Sequence, residues 1–218
     1  MDRFDDASQA EARSRMVRAQ LEARDITDRT VLEVMRQVPR HRFVHPSDIS
    51  AAYSDQPLSI GHGQTISQPY VVASMTQELG LSRSSKVLEV GTGCGYQTAV
   101  LAELAARVYS IERIEPLLTA ATARLLELGY DNVVAKCGDG SLGWPEEAPF
   151  DGIIVTAAAE EVPPALIEQL ADPGRLIIPL GPAYATQDLV LIEKRDGRTI
   201  SKSLYSVRFV PLRTSELD

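Results

Sequence analysis

Lys86-Val-Leu-Glu-Val-Gly-Thr-Gly-Cys-Gly-Tyr-Gln-Thr-Ala-Val100 is the stretch whose reading decides the fold. Lys86 to Val90 reads as a buried strand of a parallel sheet, because an apolar run this short has no helical period. Gly91, Gly93 and Gly95 follow as a tight turn, where backbone approaches a ligand with no Cβ in the way. Ala99, Val100, Leu101, Leu104 and Ala105 then recur as the inner side of a helix. Strand, glycine-rich turn and helix together open a nucleotide-binding βαβ unit. Glu112 ends the next apolar run, Val108 to Ile111, about 20 residues beyond Gly91, the spacing of an acid that holds ribose hydroxyls. An adenosine-containing cofactor is therefore expected.

The spacing argues against a dinucleotide. That fingerprint needs Gly or Ala at its sixth position so the helix can pack close to the strand. Counted from Gly91, that position is Tyr96. The pattern, with Glu89 in front of the glycines, instead resembles motif I of doubly wound S-adenosylmethionine-dependent methyltransferases. In that resemblance the turn, Gly91, Thr92, Gly93 and Cys94, cradles the methionine end of the cofactor, and Glu112 takes the ribose.

Composition sets the class. The chain has 218 residues, 44% hydrophobic and 24% charged, which is an ordinary globular domain with a real core. A formal net charge of −8 excludes a long-range basic field for nucleic acid. No apolar run approaches the ~20 residues of a membrane span. Met1-Asp-Arg-Phe-Asp-Asp6 has no signal-peptide pattern, and two cysteines, Cys94 and Cys137, point to a reducing cytoplasm. Three scattered histidines suggest no metal site.

Along the chain, residues 1–12 are polar and expected to fray. Ser14 to Arg24 has a helical pattern with Met16, Val17, Gln20 and Leu21 on one side. Thr27 or Asp28 caps a second helix carrying Val31, Leu32, Val34, Met35 and Val38, which Pro39 stops. Residues 40–69 read as irregular, and a stretch of that length inside a domain is usually functional. Tyr70 to Leu81 reads as a helix. The core then alternates: strands at 86–90, 107–111, 132–136, Phe150–Thr156 and Arg175–Leu180, with helices at 115–128 and from Pro163 to Leu170. Two last strands, about 188–194 and 200–210, join through Asp196-Gly197.

The irregular stretch contains Tyr53-Ser-Asp-Gln-Pro-Leu-Ser-Ile-Gly-His-Gly-Gln-Thr-Ile-Ser-Gln-Pro-Tyr70. It resembles the signature segment of the protein-L-isoaspartate O-methyltransferases. Pro39-Arg-His-Arg-Phe-Val44, Gly138-Asp-Gly140, Phe150 to Ala159, Leu170 to Gly181 and Val207 to Leu212 resemble other parts of that family. The likeness spans roughly residues 16–212. Motif I is shared with many methyltransferases, whereas Gln64-Thr-Ile-Ser-Gln-Pro69 sets this family apart.

The resemblance implies an α/β doubly wound, Rossmann-like sheet of seven strands, mostly parallel with a C-terminal antiparallel pair, plus an N-terminal helical extension. Residues 1–80 would form the helical region and active-site loop, and 81–218 the cofactor-binding core, in one compact unit. It implies a repair enzyme that moves a methyl group from S-adenosylmethionine, leaving S-adenosylhomocysteine, to the free α-carboxylate of an L-isoaspartyl residue. The ester then closes to a succinimide and partly reopens as aspartate. Partners would be damaged proteins and isoaspartyl peptides, with no nucleic acid and no membrane. Oligomeric state leaves no mark in the pattern, a monomer being slightly favoured. Alternatives are a same-fold methyltransferase for a small molecule or nucleic acid, and a non-catalytic S-adenosylmethionine-binding module.

By the same resemblance Ser67 is the catalytic hydroxyl, although its place before a helix also suits an N-cap. Gln64, Thr65 and Ile66 flank cofactor and substrate, and Asp139 with Gly140 meets the adenine. Asp55 is either a turn residue or an organiser of the loop. Thr156 sits where such sheets place ligands. Arg208 and Arg213 are candidates for a peptide carboxylate. His62 reads as a solvated loop residue, and His41 and His45 as surface or packing residues.

Overall fold

The computed structural model describes residues 7–214. Helix α1 (Ala7–Met16) runs on into a wider π-helical stretch, Val17–Glu22, and α2 (Arg29–Gln37) follows. Two 3-10 turns, Arg40–Phe43 and Pro46–Ala51, lead to a hairpin of β1 (Leu58–Gly61) and β2 (Gln64–Ile66). After α3 (Pro69–Leu79) the core alternates: β3 (Lys86–Val90), α4 (Tyr96–Leu104), β4 (Arg107–Glu112), α5 (Glu115–Glu127), β5 (Val133–Cys137), β6 (Phe150–Val155), α6 (Pro164–Glu168) and β7 (Leu170–Leu180). Strands β8 (Gln187–Arg195) and β9 (Arg198–Val207) close the chain.

The seven strands stand in the order β5-β4-β3-β6-β7-β8-β9. All pairings from β5 to β7 are parallel, and β8 runs antiparallel to both neighbours. The chain leaves β3 toward β4 on one side and later returns to place β6 on the other. That reversal opens a crevice at the carboxyl ends of β3 and β6, where open α/β sheets hold their ligands.

Both sheet faces are covered, which is why the strands read as unbroken apolar runs. Val87, Val108, Ile154 and Ile177 pack into one cluster with the N-terminal helices and α4. Leu88, Val90, Ile111, Ile153, Val155, Leu176 and Ile178 point the other way into a second cluster. Each such side chain contributes roughly 1.5–3 kcal/mol by leaving water.

Three boundaries differ from the sequence reading, and one open choice is decided. Residues 7–12 are helical, since Ala7, Ala10, Glu11 and Ala12 favour helix, and Arg13 is anchored on the Tyr53 hydroxyl at 3.3 Å. Residues 1–6 lie outside the described residues. Of the two cap candidates for α2, Asp28 is the cap, accepting from the Thr30 and Val31 amides at 2.8 and 3.2 Å. The stretch 40–69 is built from short elements. Gly61, His62 and Gly63 all have positive φ (85°, 53° and 70°), which turns the chain from β1 into β2. Finally, β7 starts at Leu170, ahead of Ala171-Asp-Pro-Gly174. A register shift carries the pairing from Phe150↔Leu170 to Gly152↔Arg175 and absorbs those turn-like residues.

Candidate active site

The crevice expected from the topology is a cleft lined by the glycine turn after β3, the ends of β4 and β6 and the segment 64–67. Its floor is the glycine turn after β3. Gly91, Gly93 and Gly95 have φ of 99°, 55° and 90°, open to glycine and strained for other residues. A Cβ on Gly91 would lie 2.3 Å from Thr156 Oγ1. Thr156, at the end of β6, donates to the Gly91 carbonyl at 2.7 Å and is 3.1 Å from the Val90 carbonyl. It locks the turn against the neighbouring strand. A Cβ on Gly140 would lie 2.2 Å from Val90 Cγ1, so the loop after β5 reaches the cleft only through glycine.

Glu112 is buried at the end of β4 and lines the cleft. Its Oε2 accepts from the Gly93 amide at 2.8 Å and its Oε1 from the Ile114 amide at 2.9 Å. A carboxylate has about four lone-pair sites, so each oxygen keeps one for a ligand hydroxyl. Two oxygens side by side suit a vicinal diol.

Glu89 is a different acid. It is fully buried, and its Oε2 accepts from Thr98 Oγ1 at 2.5 Å and Ser110 Oγ at 2.6 Å. The Ser110 hydroxyl lies 2.6 Å from that of Thr92 in the glycine turn. Oε1 has no partner among the described residues. Burial pushes this carboxyl up to about 8, the two hydroxyls oppose the shift, and the Glu112 charge adds to it. At neutral pH Glu89 is mostly an uncharged acid that ties β3, β4, α4 and the turn together.

Cys94 is buried in the cleft wall. Burial raises its thiol, against the pull of the Tyr96 and Cys94 backbone amides, Arg40 and Arg124, so it lines the site as a neutral group. Gln64, Thr65, Ile66 and Ser67 form the facing wall, delivered by β2. Asp139 is placed differently. Gly140 lines the cleft while the Asp139 carboxylate accepts from the Ser141 amide and hydroxyl at 2.9 and 2.6 Å, capping the turn that follows.

Ser67 is not the N-cap of α3. That place belongs to Gln68, which makes no side-chain cap bond. Among the described residues the Ser67 hydroxyl has no hydrogen-bond partner, and it lines a second, neighbouring cleft as well. The second cleft includes Arg24, Tyr70, Tyr205 and Arg208, and meets the first at Thr65, Ser67, Thr156 and Val210. Arg213 lines the first cleft.

This wall is held by one candidate named in the sequence reading, Asp55, and by two residues that were not candidates, Arg24 and the buried Arg40. Asp55 Oδ1 accepts from the Tyr70 amide at 3.0 Å, on the first turn of α3, and Oδ2 pairs with Arg24 at 3.2 Å. Asp55 is thus an organiser of the loop. The Arg24 guanidinium stacks 3.2 Å above the Tyr70 ring, and the Tyr70 hydroxyl donates to Asp25 at 2.7 Å. Arg40 is fully buried, donating to the Ala52 carbonyl at 2.8 Å and the Gln56 carbonyl at 3.4 Å, 4.9 Å from the centre of the Tyr96 ring. Arg24 and Arg40 carried no sequence signal, since their partners are carbonyls, a ring and a distant aspartate. His41 bonds Tyr53 at 2.7 Å, His45 bonds Ser47, and His62 is exposed at the hairpin tip.

The model of the protein-L-isoaspartate(D-aspartate) O-methyltransferase family matches residues 11–217. The chain belongs to this family. A protein-L-isoaspartate O-methyltransferase of Opitutus terrae is 60% identical over 200 residues, 91% of this chain and 85% of that one. A solved protein-L-isoaspartate O-methyltransferase superposes with a TM-score of 0.82 at 30% identity, covering 91% of this chain. This chain spans 65% of that longer one. A protein-L-isoaspartate O-methyltransferase of Plasmodium falciparum, solved with S-adenosyl-L-homocysteine, gives 0.81 at 31% identity over 92% of this chain and 98% of its own. Tyr96, at the sixth position of the glycine motif, turns into the core, 1% exposed and edge-on to Phe43 with ring centres 5.5 Å apart. Its hydroxyl meets Met35 Sδ of α2 at 3.8 Å, so the start of α4 packs against the N-terminal extension.

Proposed function

We propose that Ser67 presents the substrate carboxylate in a chain that methylates the α-carboxylate of L-isoaspartyl residues with S-adenosylmethionine. Membership of the family supports the reaction. The observation that carries the site is the unpartnered Ser67 hydroxyl at the one edge shared by both clefts. The first cleft fits the cofactor. Glycine positions keep its floor open, Glu112 offers free lone pairs, and Ile60, Ile66, Ile111 and Ile114 supply apolar walls for a base. When bound, S-adenosylmethionine supplies an electrophilic methyl group.

The chain's own residues then need to do little acid–base chemistry. A carboxylate has an unperturbed pKa near 4, so the acceptor arrives ionised and no general base is required. Ser67 donates one hydrogen bond to it and leaves the other oxygen free to react. An arginine fork at that point would hold the ground state too firmly. Gln64, Thr65 and Ile66 bring the wall over the cleft, exclude water and hold the acceptor at near-attack distance. Gly91, Thr92, Gly93 and Cys94 shape the floor, and Gly140, beside Asp139, closes the far end. The second cleft takes the flanking peptide, which supports flexible or damaged segments as partners. Among the described residues no helix is long and apolar enough to cross a membrane, and the two thiols are unpaired, which supports the cytoplasm as the place of action.

The test is methyl transfer from radiolabelled S-adenosylmethionine to two peptides that differ only in an L-isoaspartyl or L-aspartyl linkage. Base-labile label on the isoaspartyl peptide alone is expected. Ser67→Ala should keep cofactor affinity and lose about 10- to 100-fold in kcat, one oriented hydrogen bond to a charge. Full activity in Ser67→Ala would remove the residue from the mechanism.

A further inference from the structure

The second cleft carries charge of one sign. Its lining includes two arginines, Arg24 and Arg208, and no aspartate or glutamate, in a chain of net charge −8. The two are held differently. Arg24 is fixed by its stack on Tyr70 and its pair with Asp55, and that carboxylate is already shared with the Tyr70 amide. Asp25 nearby is engaged by the Tyr70 hydroxyl, and Asp188 lies 3.4 Å from Ser206 on the adjoining strand. Arg208, just beyond β9, is exposed and has neither hydrogen bond nor ion pair among the described residues. Between them lie Tyr205 and Phe209, aromatic and half-buried.

We propose that this cleft is a specificity subsite favouring an acidic side chain next to the isoaspartyl residue, with Arg208 as the residue that reads the charge. The inference rests on the reading of Ser67 and the first cleft given above. Neighbouring residues of an extended peptide stand ~3.8 Å apart, so a peptide anchored at Ser67 carries its next side chain into the cleft Ser67 also lines. Arg24, committed to Asp55, forms the fixed wall. Arg208 is free to pair with a carboxylate. Because the pair remains solvated, selectivity is a small factor that salt weakens.

The experiment uses isoaspartyl peptides carrying Glu, Gln or Lys immediately before or after the damaged residue, with KM and kcat measured at low and high salt. The Glu peptide of at least one series should show a KM lower than Gln by a factor of about 2 to 5, and Lys a higher one. The spread should shrink near 0.5 M salt, with kcat unchanged across the set. Arg208→Glu should reverse the order of the three peptides. Arg83→Glu, an exposed site outside both clefts, should not. Equal KM values in both series, or an order that survives Arg208→Glu, would overturn the subsite. If no peptide of any flank is methylated, it is the reading of the reaction that fails instead.

Discussion

The two walls of the active site are built by different means. The glycine turn and its carboxylates are framed by regular elements: strand β3, helix α4, strand β4 and Thr156 at the end of β6, with hydrogen bonds among Glu89, Thr92, Thr98 and Ser110. The facing wall, residues 52–70, is held by charged side chains, one of its own and others from the N-terminal region. Arg40 reaches into its carbonyls from a buried position, and Asp55 ties it at once to α3 and to Arg24. The first wall is a product of secondary structure. The second is a loop made rigid by a few charged pins. Rigidity against a cofactor comes from backbone geometry, and rigidity against a peptide from side chains.

The largest effect should come from breaking the backbone-made wall. Gly91→Ala puts a Cβ into Thr156 Oγ1 at a φ of 99°, which costs roughly 2–4 kcal/mol in strain and overpacking. Calorimetry should find cofactor binding lost or weakened by more than tenfold. Adding Thr156→Ala removes the clashing hydroxyl and should recover part of the stability but not the φ strain. A Gly91→Ala protein with wild-type melting and cofactor affinity would show that this wall yields easily.

The pins come next. Arg40→Met keeps the stem volume and strands the Ala52 and Gln56 carbonyls, at a cost of about 2–3 kcal/mol for buried acceptors left unmade. Urea unfolding should show that loss. Peptide KM should rise more than cofactor Kd, because the loosened wall is the substrate's. An equal rise in both would mean that the two walls are not separately supported. Asp55→Ala should cost less, about 1–2 kcal/mol, as for a lost helix-terminus carboxylate, with kcat falling about tenfold as Ser67 loses its anchor. Asp55→Asn keeps an acceptor for the Tyr70 amide and should restore most of kcat while leaving Arg24 unpaired. If Asn and Ala behave alike, the ion pair with Arg24 matters more than the bond to α3.

The same contrast explains what the sequence disclosed. Strand, turn and helix from Lys86 to Leu104, and Glu112 at its distance, follow from local rules of period and glycine geometry. That the sheet is mostly parallel follows from the alternation of strands and helices, while the order of the strands came from the structure. Ser67 was reached through its segment's resemblance, while its freedom from capping needed the structure to show Gln68 in that place. The β1–β2 hairpin had a signal, the alternation of Leu58 and Ile60 before Gly61-His62-Gly63, masked by a turn that needs positive φ at a histidine. The start of β7 was hidden behind Asp172-Pro-Gly174, which a register shift accommodates. Asp55 was named with two roles open, and only its bond to the Tyr70 amide and its pair with Arg24 decide for the organiser, whereas the role of Arg40 had no signal, because a side chain bonded to backbone carbonyls leaves no period.

The sharpest test of the first wall lies at Glu89 and is read against pH. Its carboxyl is raised to about 8 in the folded protein by burial, against an unfolded value near 4.5. Between those values the folded state binds the extra proton, so stability falls as pH rises. This contribution is fully present below about 4.5, is lost progressively through the window, and is gone above about 8. Glu89→Gln cannot ionise. Its melting temperature should lie closest to wild type near pH 4.5, and the two should diverge progressively above that, with wild type falling further until the pH passes about 8. Parallel curves would mean that the acid ionises without penalty and that water reaches it. Glu112 lines the cleft a ligand enters and offers it free lone pairs. Glu89 works from the interior, tying the strands and the turn together as an uncharged acid.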